Sequence, residues 1–205
     1  SIITIDLSNA ILLTSFAVTW TGARVFDGRS AEPVGLMAGA VLWLFLCQLS
    51  GFSASAEFRA IVSAGIIASY TWLTAAEFWR NREEQLVSRL PAIFMLFAHG
   101  ALFLLRTPLI MPRSGTTGTM SSSVWLTVLS SEALLFTISI AFILLAMAKE
   151  RMALSHKNAA MVDALTGIAN RRGFLGACEA LAKRQKDKPE LAAVMLIDLD
   201  NFKSV

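Results

Sequence analysis

The chain is short of charge. Of its 205 residues only 16% are Asp, Glu, Lys or Arg, while 55% are hydrophobic and the mean hydropathy is +0.60. Soluble globular chains carry about 25% charged and roughly 45–50% apolar residues, so a single soluble domain is excluded as an account of the whole. Cysteine is nearly absent. Cys47 lies in an apolar run and Cys178 in a later helical pattern; neither has the partner spacing of a zinc site or a redox pair, and both read as small hydrophobes in a reducing setting. A cleavable signal peptide is not recognisable, since no basic segment precedes the first apolar run and no small-residue cleavage site follows it. Gly and Pro are absent from Val124 to Asp163, which excludes an ordinary helix stop in that interval.

The few charges are unevenly placed. Residues 1–148 hold eight Lys and Arg and eight Asp and Glu, leaving ten and seven in residues 149–205, so the formal net charge of +3 belongs to the second part. An excess that small beside a membrane reflects Lys and Arg retained on the cytoplasmic side, and no nucleic-acid partner is inferred from it. The chain begins at Ser1 and stops at Val205, just after a strand pattern, and reads as a fragment.

Crossing about 30 Å of hydrocarbon at 1.5 Å per residue takes roughly 20 apolar residues. Five runs approach that length: Ile3–Ala23, Val34–Phe52, Ala60–Trp79, Leu90–Ile110 and Val124–Ala148. None alternates as a barrel strand would, so the expectation is a polytopic bundle of about five transmembrane helices. The first and third connections and the tail hold eight basic residues (Arg24, Arg29, Arg80, Arg82, Arg89, Lys149, Arg151, Lys157) against three in the second and fourth (Arg59, Arg106, Arg113). The positive-inside rule then places the tail in the cytoplasm and Ser1 outside, and a sixth span upstream would remove the awkwardness of an exported N-terminus.

Polar groups inside the runs stand out, because a central charge costs about 2.5–3.5 kcal/mol on insertion scales. Glu132 serves either in sensing, by binding a cation, relaying a proton or pairing with an Arg, or as a carboxyl hydrogen-bonded within the bundle. His99 either ligates a metal or haem or donates to a neighbouring helix. Gln48 is a third polar group, and Glu77, beside Trp79 and Arg80, is expected to reach water at the interface. Gly35 and Gly39 form a small-residue helix-contact pattern. The polar connection from Thr107 to Ser123 is either a lid or a plain linker.

The fifth run passes without a break into KERMALSHKNAAMV, so its helix is expected to continue into the cytoplasm. Leu145, Ala148, Met152, Ser155, Ala159 and Val162 fall on an a/d frame: either a parallel two-stranded seam or an amphipathic helix packed on its own chain. Asp163–Gly167 then reads as a turn, with Asn170 as an N-cap candidate before Arg171 and a helix to about Gln185. Leu191–Ile197 reads as a buried central strand. Asp198 and Asp200 leave its end on one side, either as ligands of a divalent ion that holds triphosphate oxygens or as the acidic residues common at solvated strand ends.

DALTGIANRRGF, from Asp163 to Phe174, resembles the opening of the GGDEF domain, D-x-L-T-G-L-x-N-R-R, and IDLDNFK is similar to that family's first strand and turn, D-x-D-x-F-K. The two motifs occur in the family order and spacing, over about residues 160–205, with Ile168 for Leu the one departure in the first. The apolar runs and the resemblance together give the expectation of a mainly α chain with three regions: a multi-span sensor or anchor (1–148) and a helical signalling linker (149–162), both from the runs, and, as the resemblance implies, the N-terminal part of an α/β, nucleotide-cyclase palm-like GGDEF domain (163–205), comprising its first helix and strand. The resemblance implies that Asp198 and the Leu199 carbonyl hold catalytic Mg²⁺ (or Mn²⁺), that Asn201, Phe202 and Lys203 bind GTP phosphates, and that Asp163, Asn170, Arg171 and Arg172 are architectural, with Asp163 and Arg172 as a pair.

The implied activity is that of a homodimeric diguanylate cyclase in the bacterial inner membrane, making cyclic di-GMP from GTP. The alternative is a degenerate domain that binds GTP or cyclic di-GMP and regulates another module. The hairpin that names the family is expected beyond Val205, so the fragment alone is expected to be inactive.

Overall fold

The computed structural model describes residues 2–82, 84, 86–110, 122–187, 193–195 and 197. The chain divides into two units, Ser1–Arg151 and Met152–Val205. Helices dominate: α1 (Ile2–Phe26), α2 (Pro33–Cys47), α3 (Ser50–Ala54), α4 (Ala56–Arg80), α5 (Arg89–Ile110), α6 (Ser122–Ala159) and α7 (Arg171–Asp187). Among the described residues three stretches are long and apolar enough to cross a membrane: Ala56–Arg80, Arg89–Arg106 and Ser130–Ala159.

The second apolar run departs from expectation. It breaks into α2 and α3, because Leu49 is extended (φ −84°, ψ 122°) between them. Pro33 presets the start of α2, whose 15 residues span about 22 Å, short of the hydrocarbon thickness. The break falls at Gln48-Leu49-Ser50-Gly51, where Ser and Gly are weak helix formers. The chain re-enters a helix at Ser55, whose Oγ accepts from Phe58 N at 3.2 Å.

In the first unit the buried residues follow helical spacing. Ala10, Leu13, Ala17, Trp20 and Ala23 form the inner stripe of α1, and Ala92, Leu96, His99 and Phe103 that of α5. Backbone groups are satisfied within the helices, and hydroxyls fold back on them: Thr14, Thr21, Thr71 and Thr74 each donate to the carbonyl four residues earlier, at 2.8–3.0 Å. Tyr70 works between helices. Its hydroxyl donates to Gly35 O (2.7 Å) and accepts from Gly39 N (3.0 Å), bridging two groups one turn apart on α2.

Two expectations at the C-terminal side are corrected. α6 ends at Ala159 rather than continuing through Val162, which leaves the helix to form an isolated antiparallel bridge with Ala169. The last a/d position is therefore not helical. Among the described residues no strand forms: of the expected strand, residues 193–195 and 197 are irregular, and Val194, Met195 and Ile197 are exposed rather than buried. A central strand needs ladders on its flanks and helices on its faces, and no partner strand lies among the described residues.

Candidate functional site

Charges missing from the helix interiors collect at the helix ends. At one end Arg59 Nη2 meets Asp6 Oδ1 at 2.5 Å, linking α4 to α1. At the other, Glu77 receives Arg29 (2.7 Å) and Arg24 (3.2 Å), with Arg80 at 3.6 Å. Glu77 is thus buried beneath arginines instead of reaching water. Beside it, Asp27 and Arg89, with side chains only 1% and 2% exposed, pair at 3.1 Å. Arg89 also meets Glu84 at 2.7 Å and donates to Phe78 O at 3.3 Å. Arg151, on α6, joins the same cluster through Glu84, Asp27 and the Phe26 carbonyl, and its guanidinium lies over the Phe26 ring. Next to it, Glu150 accepts from Ser88 Oγ at 2.6 Å.

The hydrogen bond from Arg151 holds the Glu84 carboxyl below its ordinary value of 4.5, reinforced by the charges of Arg151 and Arg89. A carboxyl depressed by folding contributes stability above its unfolded pKa and loses it as pH falls through the folded one. Acid titration from pH 6 to 3 should therefore weaken the first unit, and Glu84→Gln should flatten that dependence. The carboxyl is partly solvated, so the difference should be about 1 kcal/mol or less; an unchanged acid slope in thermal unfolding would contradict the pairing.

The structure brings His99 and Glu132 together. His99 lies on the inner stripe of α5, and Glu132 and Phe136 share a face of α6, one turn apart. His99 Nδ1 is 2.7 Å from Glu132 Oε1. The imidazole stacks on Phe136 (centroids 3.6 Å apart, planes at 6°), with Phe16 and Phe103 at 6.0 and 4.8 Å. His99 Nε2 and Glu132 Oε2 are buried without partners. Among the described residues no third His, Cys, Asp or Glu joins them as a metal-ligand group. Gln48 bonds to its own helix through Leu44 O at 3.4 Å.

In the second unit the turn after α6 is built by two side chains. Asp163 Oδ1 accepts from Leu165 N (3.1 Å), Thr166 N (2.9 Å) and Thr166 Oγ1 (2.8 Å), and Gly167 follows at φ +71°, a conformation that favours glycine. The Thr166 hydroxyl, followed by the backbone amides, lowers the Asp163 pKa. Asn170 caps in both directions: its Oδ1 accepts from Gly173 N at 3.0 Å, while its Nδ2 donates to Ala160 O at 3.0 Å. A Cβ at Gly173 would overlap the Met161 carbonyl oxygen. Arg171 and Arg172 open α7, exposed, and among the described residues no ion pair joins Arg172 to Asp163.

This turn is spelled by the same residues as the first motif. Residues 160–205 match the diguanylate cyclase, GGDEF domain family. No curated protein and no solved structure matches the chain. The GGDEF segment thus enters through an Asp-anchored turn and an Asn-capped helix. Its expected metal and nucleotide residues, Asp198, Leu199, Asn201, Phe202 and Lys203, lie outside the described residues, as do residues 111–121 of the polar connection.

Gly173 and Gly176 give a controlled test of the entry, since a Cβ at Gly176 meets nothing within 4 Å. Gly173→Ala should cost about 1–3 kcal/mol as overpacking and speed amide exchange at Gly173 and Asn170, while Gly176→Ala should not. Equal exchange in the two variants would remove the close approach from the account.

The Asp27–Arg89–Glu84–Arg151 cluster was not legible as such in the sequence. These arginines counted only as positive-inside charge. The signal available was that Asp27 and Glu84 lie in the same two connections as the basic residues.

Proposed function

We propose that the chain belongs to a membrane-bound diguanylate cyclase, in which about five helical segments of the first unit anchor the protein and receive an input, and a GGDEF domain condenses two GTP into cyclic di-GMP and two pyrophosphates. The observation that carries the reading is the GGDEF match at residues 160–205. The gathering of Arg24, Arg29, Arg80, Arg89 and Arg151 at one end of the first unit supports a cytoplasmic position for that end.

In this reading the Asp198 carboxylate and the Leu199 carbonyl are hard oxygen donors, which fits Mg²⁺ by donor type. Bound there, the ion would neutralise charge on the triphosphate. Asn201 and Phe202 would present backbone N–H groups, and Lys203 its ammonium, to the phosphates. Each domain of a homodimer would hold one GTP so that the 3′-hydroxyl of each attacks the α-phosphorus of the other, losing its proton and expelling pyrophosphate. The protein's contribution is mainly positioning and charge neutralisation.

The test is direct. Purified full-length protein with GTP and Mg²⁺ should yield cyclic di-GMP by chromatography. Binding of GTP or cyclic di-GMP without turnover would replace synthesis with regulation.

A further inference from the structure

A cavity of about 500 Å³ lies between α5 and α6, lined by Phe94, Leu102, Leu135 and Phe136 and by the polar pair His99 and Glu132. We propose that it binds a neutral, lipid-soluble hydroxylated aromatic, of the phenol or hydroquinone class, whose hydroxyl donates to Glu132.

Four observations define this occupant. Glu132 Oε1 is engaged by His99 Nδ1, but Oε2 is buried with no partner; a carboxylate oxygen accepts only, so what completes it is a donor. The Glu132 side chain lines the cavity and is 21% exposed as a whole. Among the described residues that line the cavity there is no Lys, Arg or second carboxyl, so a neutral donor completes the site without carrying a cation into an apolar medium. The walls are apolar and partly aromatic, which suits a ring. Phe94 and Leu135, both largely exposed, border the cavity on two helices apolar enough to span a bilayer, so the route of entry is the lipid phase. His99, held between Phe136 and Phe16, fixes the carboxylate and is a positioning residue.

The experiment uses full-length protein in phosphatidylcholine nanodiscs with radiolabelled 2-decylhydroquinone. Binding should be saturable and competed by the unlabelled compound. The dimethyl ether of the probe, which has the ring but no donor, and 1-decanol, which has a donor but no ring, should each compete at least tenfold less well. Glu132→Gln should weaken binding roughly tenfold, since the amide replaces one acceptor oxygen with an NH₂ group that only donates. Ser131→Leu, which narrows the cavity and leaves the pair intact, should weaken it. Equal competition by the ether or the alkanol, unchanged binding in either variant, or no saturable binding would overturn the proposal. Binding is read without catalysis, so its failure leaves the test of cyclic di-GMP synthesis untouched.

Discussion

Full-length protein carrying Asp198→Ala should make cyclic di-GMP at least ~100-fold more slowly than wild type, because residues that merely orient a metal's ligands already cost about 10–100-fold when removed. The proposed role is specific. Asp198 follows an apolar stretch that ends at Ile197, and its carboxylate would supply the charged oxygen donor, with the neutral Leu199 carbonyl beside it. Alanine removes that donor and leaves the triphosphate charge less well neutralised where the 3′-hydroxyl must approach. Excess Mg²⁺ should restore part of the rate, and the Leu199 carbonyl, which mutation cannot delete, sets the remainder. Activity within threefold of wild type, measured by product chromatography at saturating GTP, would remove the metal role from Asp198.

The largest expected effect on stability comes from Asp27→Ala. Asp27 and Arg89 are almost wholly buried, and Asp27 Oδ1 also lies 3.2 Å from Arg151. Deleting the carboxylate leaves Arg89 with Glu84 and the Phe78 carbonyl, with its Nε already unpartnered. Removing one member of a buried ion pair costs about 3–5 kcal/mol, mostly as the penalty of the charge left behind. The penalty should shrink when that charge is also removed: Asp27→Ala with Arg89→Leu should unfold later, in a thermal melt in detergent, than Asp27→Ala alone. A double variant as unstable as the sum of the two singles would mean that the carboxylate and the guanidinium act independently.

Legibility tracked how local each determinant was. Helix α4 and the first turns of α7 depend on runs of good helix formers and on one capping side chain, Ser55 or Asn170, and such signals sit within a few residues of one another. The Asp163 turn was equally readable, since one carboxylate capping the amides two and three residues on is a local device. The broken second run was misread because an average over a membrane-length window absorbs Gln48, Ser50 and Gly51, the polar and weakly helical residues where the backbone changes conformation. The strand expected at Leu191–Ile197 does not form at its described residues: the segment has strand composition, but a strand is a property of its neighbours. His99 and Glu132 were each legible as costly polar groups. Their pairing, across 33 positions of sequence, depends on how two helix stripes face each other, and neither stripe encodes its partner.

The Arg151 contacts bear on how the bundle is made. Arg151 and Asp27 are 124 positions apart, whereas Arg89 and Asp27 are 62 apart. During synthesis Asp27 can therefore acquire its first cation once the start of α5 has emerged, and its second only when α6 is complete. Contacts of such long sequence separation form late, after the intervening chain has been ordered. The cluster is a closing clasp: until the Arg151 turn of α6 arrives, Glu84 and the Phe26 carbonyl lack that partner.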